Sequence, residues 1–338
     1  MLLSQIQEIK ELLSSKKKIS IISHRDPDGD ALGSSLGLSH FLRNKDHHVS
    51  VIMPNKFPYF LDFIPGADSV IIYENNIERT KQIIEKSEII FCLDFNSISR
   101  IGEGLGALIE KSNSIKIMID HHVNPDNFPN YIYSDITACA TCQLIYLFIE
   151  KIDSLSSIDK NIATCLYTGI MTDTGCFRFR STNAQTHSII SNLINMEADN
   201  INISSQVYEN NSEGKIKLLA RGLENLILLK DYNTAYITLS RQELKSIKHE
   251  KGDTFGIVNY ALSIKGVTLG VLMTEDKYLN STKLSLRSKG SFSVNDMSAK
   301  YFNGGGHCNA AGGRIDKNIT ETVDLFKNVL KNYEGTLW

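Results

Sequence analysis

The chain has 338 residues, more than one ordinary hydrophobic core organises and comfortable for two domains. Hydrophobic residues make up 42% and charged residues 22%, the balance of a globular protein rather than a disordered one. The net charge of −2 excludes a global basic field that would hold long nucleic acid by counterion release, and leaves room for a short or small anionic substrate.

The N-terminus reads LLSQIQEIKELL, an amphipathic helix pattern with Ile6, Ile9, Leu12 and Leu13 on one face, and it lacks the apolar core of a signal peptide. No stretch approaches the ~18 apolar residues of a membrane span. The six cysteines follow no disulfide-like spacing and fit a reducing compartment. The expected location is cytoplasmic, with no membrane partner.

Residues 18–23 (KISIIS) form a short apolar run, and 31–43 (ALGSSLGLSHFLR) follow as a helix. Further apolar runs stand at 48–53, 88–93 and 115–119. Such continuous runs suit strands buried on both faces. Helical segments lie between them and continue through 142–150, 159–171 and 186–196, so the pattern predicts a parallel α/β arrangement. From about 196 to 213 the chain turns polar and rich in Asn and Ser, which marks a domain boundary. Residues 215–229 have helical periodicity suited to connecting two lobes. Strands are predicted near 234–239, 266–273 and 282–286, and helices near 255–263 and 320–333. The expected organisation is a catalytic domain over 1–197, a linker with a connecting helix over 198–229 and a smaller α/β substrate-binding domain over 230–338, with a cleft between the lobes.

Polar clusters recur where the apolar runs end. HRDPDGDALGS offers His24, Asp28 and Asp30 within one turn, with Gly29 suited to a tight turn and Asp26 of undetermined direction. A helix N-cap followed by a solvated acidic turn explains that segment alone equally well. Asp94 ends FCLD, where a lone acid is ordinarily a cap, but ligands of an open parallel sheet sit outside the carboxyl ends of its strands. Asp120-His121-His122 occupies the same kind of position after IKIMI, unlike His47-His48, which precede a strand and read as surface residues. Asp173 stands at the end of a helix, where a carboxylate opposes the macrodipole and calls for compensation. Carboxylates with imidazoles suit manganese, iron or zinc. Six such ligands exceed one ion and fit two, with one carboxylate bridging. Two ions ~3.5–4 Å apart can activate water and hold phosphoryl oxygens during in-line displacement.

The second half carries SLRSKG, with Arg287 and Ser288, and FNGGGHCNAAGG, with Gly304, Gly305, Gly306, His307 and Asn309. Three glycines in a row expose backbone N–H groups to an anion, and Arg287 presents a planar fork to phosphate. Cys139-Ala-Thr-Cys142 lacks a second pair at zinc-finger distance and reads as a helix start. Arg178-Phe179-Arg180 reads either as a surface strand or as a substrate contact.

With these motifs in order, the chain resembles the DHH phosphoesterase family with its DHH-associated C-terminal domain, over nearly its whole length. His24-x-x-x-Asp28-x-Asp30, Asp94, Asp120-His121-His122 and Asp173 match the four metal motifs, and Gly304 to His307 resembles the GGGH substrate motif, with Asn303 where members often have a further glycine. The resemblance implies a di-manganese centre. His24, Asp28 and Asp94 would hold one ion, and Asp30, Asp94, His121 and Asp173 the other, with Asp94 bridging. It further implies that His122 contacts the scissile phosphate, that Asp120 orients the histidines, and that Arg287, Ser288, Gly304, Gly305, Gly306, His307 and Asn309 bind substrate. The layout is most similar to the small oligoribonucleases that also dephosphorylate pAp. The implied substrates are RNAs of about two to five nucleotides and pAp. Rival readings are a phosphodiesterase for cyclic or linear dinucleotides such as pApA and pGpG, a pyrophosphatase or exopolyphosphatase, and a non-catalytic nucleotide sensor. A homodimer is compatible with the sequence.

Overall fold

The structure is a computed structural model that describes residues 3–247, 249–276 and 279–335. Tertiary contacts divide the chain into two compact units, Met1–Asn210 and Asn211–Trp338.

The first unit is built on six strands: β1 (Lys18–Ile22), β2 (His48–Met53), β3 (Ile71–Ile72), β4 (Ile89–Leu93), β5 (Ile115–Asp120) and β6 (Tyr131–Ser134). They lie in the order β3-β2-β1-β4-β5-β6, every neighbouring pair parallel. The eight helices recorded in this unit are α1 (Leu3–Leu12), α2 (Gly29–Arg43), α3 (Ile77–Lys86), α4 (Glu103–Lys111), α5 (Thr141–Ile152), α6 (Lys160–Asp173), α7 (Ala184–Asn195) and α8 (Asn200–Tyr208). Side chains alternate across the pleat. Ile22, Ile90, Cys92 and Met118 pack with Ile84 of α3 and Leu105 and Ile109 of α4. On β4, Phe91 points the other way, edge-on to Phe148 of α5 with ring centroids 6.1 Å apart. Both faces are therefore covered, which is why these strands read as unbroken apolar runs. The strand order reverses between β1 and β4, and that switch point is where an open α/β sheet binds ligands. Strands β3 and β6 escape the sequence pattern because one has two residues and the other, YIYS, is only partly buried.

The second unit opens with α9 (Glu213–Glu224) and β7 (Ile227–Leu229). It continues through β8 (Thr234–Leu239), α10 (Arg241–Ile247), α11 (Ile257–Ser263), β9 (Leu269–Glu275), β10 (Thr282–Ser288), α12 (Val294–Tyr301), β11 (Gly305–His307), β12 (Ala310–Ile315) and α13 (Ile319–Leu330). The sheet order is β11-β12-β10-β9-β8-β7, antiparallel except for the parallel pair β8–β9. Val271, Met273, Leu284 and Leu286 face Met297 and Phe326 on one side, and Ile237, Leu239 and Leu272 face Val258 and Ala261 on the other.

Four local expectations differ from the structure. The stretch 198–229 is not an open linker: Asp199 and Ser212 cap α8 and α9, and each helix belongs to one unit. The helix expected over 215–229 ends at Glu224, where the capping Asn225 turns its side-chain amide to the Thr238 carbonyl at 2.9 Å, and β7 follows from Ile227. Arg178-Phe179-Arg180 is a turn rather than a strand. His47 is buried rather than superficial, its Nδ1 accepting the Lys17 N–H at 3.2 Å, while His48 is exposed. Among the described residues no helix is long and apolar enough to cross a membrane.

Candidate metal centre

The polar clusters after β1, β4 and β5 and at the end of α6 come together. His24 follows β1 and Asp28 caps α2, its carboxylate accepting the Asp30 and Ala31 N–H groups at 3.1 and 3.0 Å. The plain capping reading is therefore correct for Asp28, and its Oδ1 also lies 3.9 Å from His24 Nε2. Asp30, in the first turn of α2, is 1% exposed. Asp26 spends its backbone N–H and Oδ1 on Asn55 at 2.8 and 2.9 Å.

Gly29 is not a turn residue but the first residue of α2, and a Cβ there would lie 2.2 Å from Thr172 Oγ1 of α6. A Cβ on Gly33 would meet the Cys165 carbonyl at 2.5 Å, and one on Gly169 the Cys142 sulfur at 2.1 Å. Bare backbone at these positions lets α2, α5 and α6 approach closely, which carries Asp30 and Asp173 to the same histidine.

Asp94 is the hub. Its φ of +63° is left-handed, a conformation that costs a non-glycine residue about 1–3 kcal/mol and persists where the surroundings over-determine it. Its Oδ2 lies 3.3 Å from His24 Nε2, and its Oδ1 lies 3.5 Å from His121 Nε2. His121 Nε2 also faces Asp30 Oδ2 at 3.7 Å and Asp173 Oδ2 at 3.6 Å. Ligand atoms of His24, Asp28 and Asp94 form one compact group, and those of Asp30, Asp94 and His121 another, each within 4.8 Å. A further group, Asp94, Asp120 and His122, is a hydrogen-bonded pair beside the hub: Asp120 Oδ1 and Oδ2 accept from His122 Nδ1 and the His122 backbone N–H.

The donor set fits divalent cations. His24 Nδ1 lies 2.8 Å from the Arg25 carbonyl and His121 Nδ1 lies 3.2 Å from the Ala138 carbonyl, so an Nδ1 proton has an acceptor in each ring and Nε2, which faces the carboxylates, is the atom that would ligate once a cation displaces its proton. Burying Asp30, Asp94 and Asp120 together is costly without cations. The proton balance reflects this. Burial, reinforced by the charges of Asp94 and Asp173, raises the Asp30 carboxyl well above the usual range. Burial also raises Asp120, to about 6. Burial alone would raise Asp94 and lower His24; their mutual hydrogen bond and the one from His121 prevail, so Asp94 falls well below its ordinary value while His24 rises to about 9.

The sequence missed Thr141. Its backbone N–H donates to Asp30 Oδ2 at 2.6 Å, and its hydroxyl donates to Asp94 Oδ1 at 2.9 Å. The available signal was the small-residue run 139–142, read correctly as a helix start and not followed to what that helix start holds. Burial pushes the Cys139 thiol up to about 12 and the Cys142 thiol up as well, which suits packing rather than metal binding.

In the second unit the GGGH run is a strand, not an open anion loop. A Cβ on Gly304 would lie 1.9 Å from the Gly312 carbonyl, and Gly306 combines φ +151° with a 2.4 Å approach to the Ala310 carbonyl. Gly304 N–H donates to the Ser298 carbonyl and Gly306 N–H to Asn295 Oδ1, so hairpin packing employs these two glycines and Gly305 is the exposed one. Asn309 Nδ2 donates to Ser288 Oγ at 2.8 Å, and Ser288 Oγ donates to the Phe292 carbonyl at 2.6 Å, tying the 288–292 loop together. Arg287 and His307 both stand in register with Ala310, one strand on either side of it. Residues in direct antiparallel register share a face, so both side chains project from the same side of the sheet. Arg178 is exposed and donates from Nε to the Gly175 carbonyl at 2.7 Å.

The model of the DHH family, N-terminal domain, matches residues 18–170, and that of the DHHA1 domain matches 232–333. A crystal structure of an exopolyphosphatase-related protein from Bacteroides fragilis is 40% identical, with a TM-score of 0.94 over 99% of this chain and 98% of that one. A bifunctional oligoribonuclease and PAP phosphatase NrnA of Thermus thermophilus is 26% identical over 88% of this chain and 84% of its own. The cyclic-di-AMP phosphodiesterase PdeA of Listeria monocytogenes is 26% identical over 97% of this chain, which spans 49% of that protein. With the family's two domains in order along its length, the chain belongs to the DHH family and is a phosphoesterase, a hydrolase of phosphate esters.

Proposed function

We propose that this phosphoesterase cuts RNAs of about two to five nucleotides to mononucleotides and removes the 3′-phosphate of pAp, using two divalent ions with manganese the first choice. The observation that carries the catalytic reading is the division of Asp94: Oδ2 faces His24 at 3.3 Å and Oδ1 faces His121 at 3.5 Å, so one carboxylate serves two donor groups. In this reading His24, Asp28 and Asp94 hold one ion and Asp30, Asp94, His121 and Asp173 the other. When bound, such a pair of ions would supply an activated water and charge stabilisation at phosphorus. His122, fixed by Asp120, contacts the scissile phosphate. Arg287, His307 and Gly305 hold the rest of the substrate, with Gly304, Gly306, Ser288 and Asn309 shaping the hairpin and loop that present them.

The NrnA relatives of Thermus thermophilus and Bacillus subtilis, named for oligoribonuclease and PAP phosphatase activity, support this reading. The net charge of −2 supports a small substrate as well. A polyphosphate substrate is the second reading, favoured by the description of the 40% identical Bacteroides fragilis protein. One panel separates them: turnover with Mn2+ of pAp, a dinucleotide, an RNA of about 24 nucleotides, cyclic di-AMP, pyrophosphate and polyphosphate. Turnover should fall steeply beyond about five nucleotides. Equal rates on the dinucleotide and the long RNA, or fastest turnover of polyphosphate or cyclic di-AMP, would overturn the proposal.

A further inference from the structure

Helix α5 begins without a cap of its own. Its N-cap residue, Ala140, has no side-chain hydrogen bond to offer, so the first N–H groups of the helix need acceptors from elsewhere. Asp30 of α2 supplies them: Oδ2 accepts from Thr141 N at 2.6 Å and Oδ1 from Cys142 N at 2.8 Å. A carboxylate at a helix N-terminus is favoured by the macrodipole as well as by these bonds. The same Thr141 donates its hydroxyl to Asp94 Oδ1 at 2.9 Å, and it is fully buried. One residue thus grips both carboxylates of the Asp30–Asp94–His121 group, one through its backbone and one through its side chain.

The side-chain contact has a directional consequence. A free carboxylate rotates about its terminal torsion through a broad range. With Oδ1 held by the Thr141 hydroxyl, the carboxylate plane of Asp94 is set so that Oδ2 is left to the His24 side while Oδ1 keeps its remaining lone pair for the His121 side. We propose that Thr141 is a positioning residue of the metal centre: its hydroxyl holds Asp94 in the orientation that shares one oxygen with each donor group. This rests on the two-ion reading above. Thr141 touches neither substrate nor, in this reading, metal, and it acts through Asp94.

The test exploits the separation between hydroxyl and backbone. Thr141→Val removes the hydroxyl at nearly constant volume and retains the N–H to Asp30, while Thr141→Ser restores the hydroxyl. Mn2+ is titrated calorimetrically into metal-stripped wild type and both variants, and thermal melting of the stripped proteins is followed in parallel. Partners that orient metal ligands are worth about 10- to 100-fold in metal affinity. Thr141→Val should therefore bind Mn2+ about 10- to 100-fold more weakly, or lose one of two bound ions, while the metal-free protein still unfolds cooperatively with its melting temperature lowered only by the loss of one buried hydrogen bond. Thr141→Ser should recover affinity to within about threefold, and kcat should follow metal affinity with KM little changed. Mn2+ affinity and stoichiometry in Thr141→Val equal to wild type would overturn the proposal. If the valine variant does not fold, Thr141→Ala replaces it, with the same expectation and the same overturning result. Wild type binding fewer than two ions would instead refute the two-ion reading, a result distinct from a wild type with two ions and an unaffected valine variant.

Discussion

Asp120 gives both carboxylate oxygens to His122: Oδ1 takes the Nδ1 proton at 2.7 Å and Oδ2 takes the backbone N–H at 3.0 Å. The ring is thereby fixed in orientation and tautomer. An asparagine keeps only one acceptor oxygen and turns an NH2 group toward one of the two donors. Asp120→Asn should lower kcat about 10- to 100-fold, the usual cost of losing an orienting partner. Metal content by elemental analysis should stay as in wild type, because His24, Asp28, Asp30, Asp94, His121 and Asp173 are untouched. Wild-type kcat in this variant would refute the orienting role.

Asp94→Ala removes the carboxylate that faces His24, His121 and Thr141 together. Nothing in the sheet requires an acid at that strand end, although an alanine at φ +63° bears somewhat more strain than an aspartate does. The fold should survive by circular dichroism while turnover falls by far more than tenfold, and each tenfold corresponds to ~1.4 kcal/mol of barrier. Retention of more than about a tenth of the wild-type rate with Mn2+ would eliminate Asp94 as the bridging ligand.

Arg287 and His307 flank Ala310 on one face of the second sheet, about two strand spacings apart, or roughly 10 Å. That span suits groups on a nucleotide rather than one phosphate. Arg287→Ala and His307→Ala should each slow a dinucleotide sharply and leave metal content unchanged. Bis-p-nitrophenyl phosphate, which lacks a remote part, should suffer far less, because remote binding energy positions the scissile phosphate only in substrates that have it. Equal losses on both substrates, or loss of metal, would assign these residues to catalysis or folding instead.

Gly169 of α6 packs directly against Cys142 of α5. A Cβ there would lie 2.1 Å from Cys142 Sγ and 3.0 Å from Asp30 Oδ1. Gly169→Ala should destabilise the protein by about 1–3 kcal/mol, the range for overpacking a filled core. Cys142→Ala removes the sulfur in the way, so the double variant should recover part of that loss. Thermal melting of the four proteins decides it, and additivity of the two single losses would show that the clash lies elsewhere.

Strands β1, β2, β4 and β5 were legible because burial on both faces leaves an unbroken apolar run, and the candidate donors His24, Asp94 and Asp120-His121-His122 were legible because they stand where such runs stop. β3 and β6 were not, being too short or too polar for that signal. The GGGH run was legible as a motif but not as a strand, since glycine carries no side-chain pattern and only the steric fit of Gly304 and Gly306 against β12 reveals why they must be bare.

The sequence by itself determined which donors exist, their positions at strand and helix ends, and the family to which their spacing belongs, because those are properties of local pattern. Only the tertiary structure brought the donors within reach of one another. Asp94 became the hub through distances to His24 and His121, residues 70 and 27 positions away, and through a hydroxyl from Thr141 that no motif marked. Contacts between segments so far apart are set by the order of the strands and by the close packing of α2, α5 and α6 over bare glycines, and neither leaves a trace in any single window of sequence.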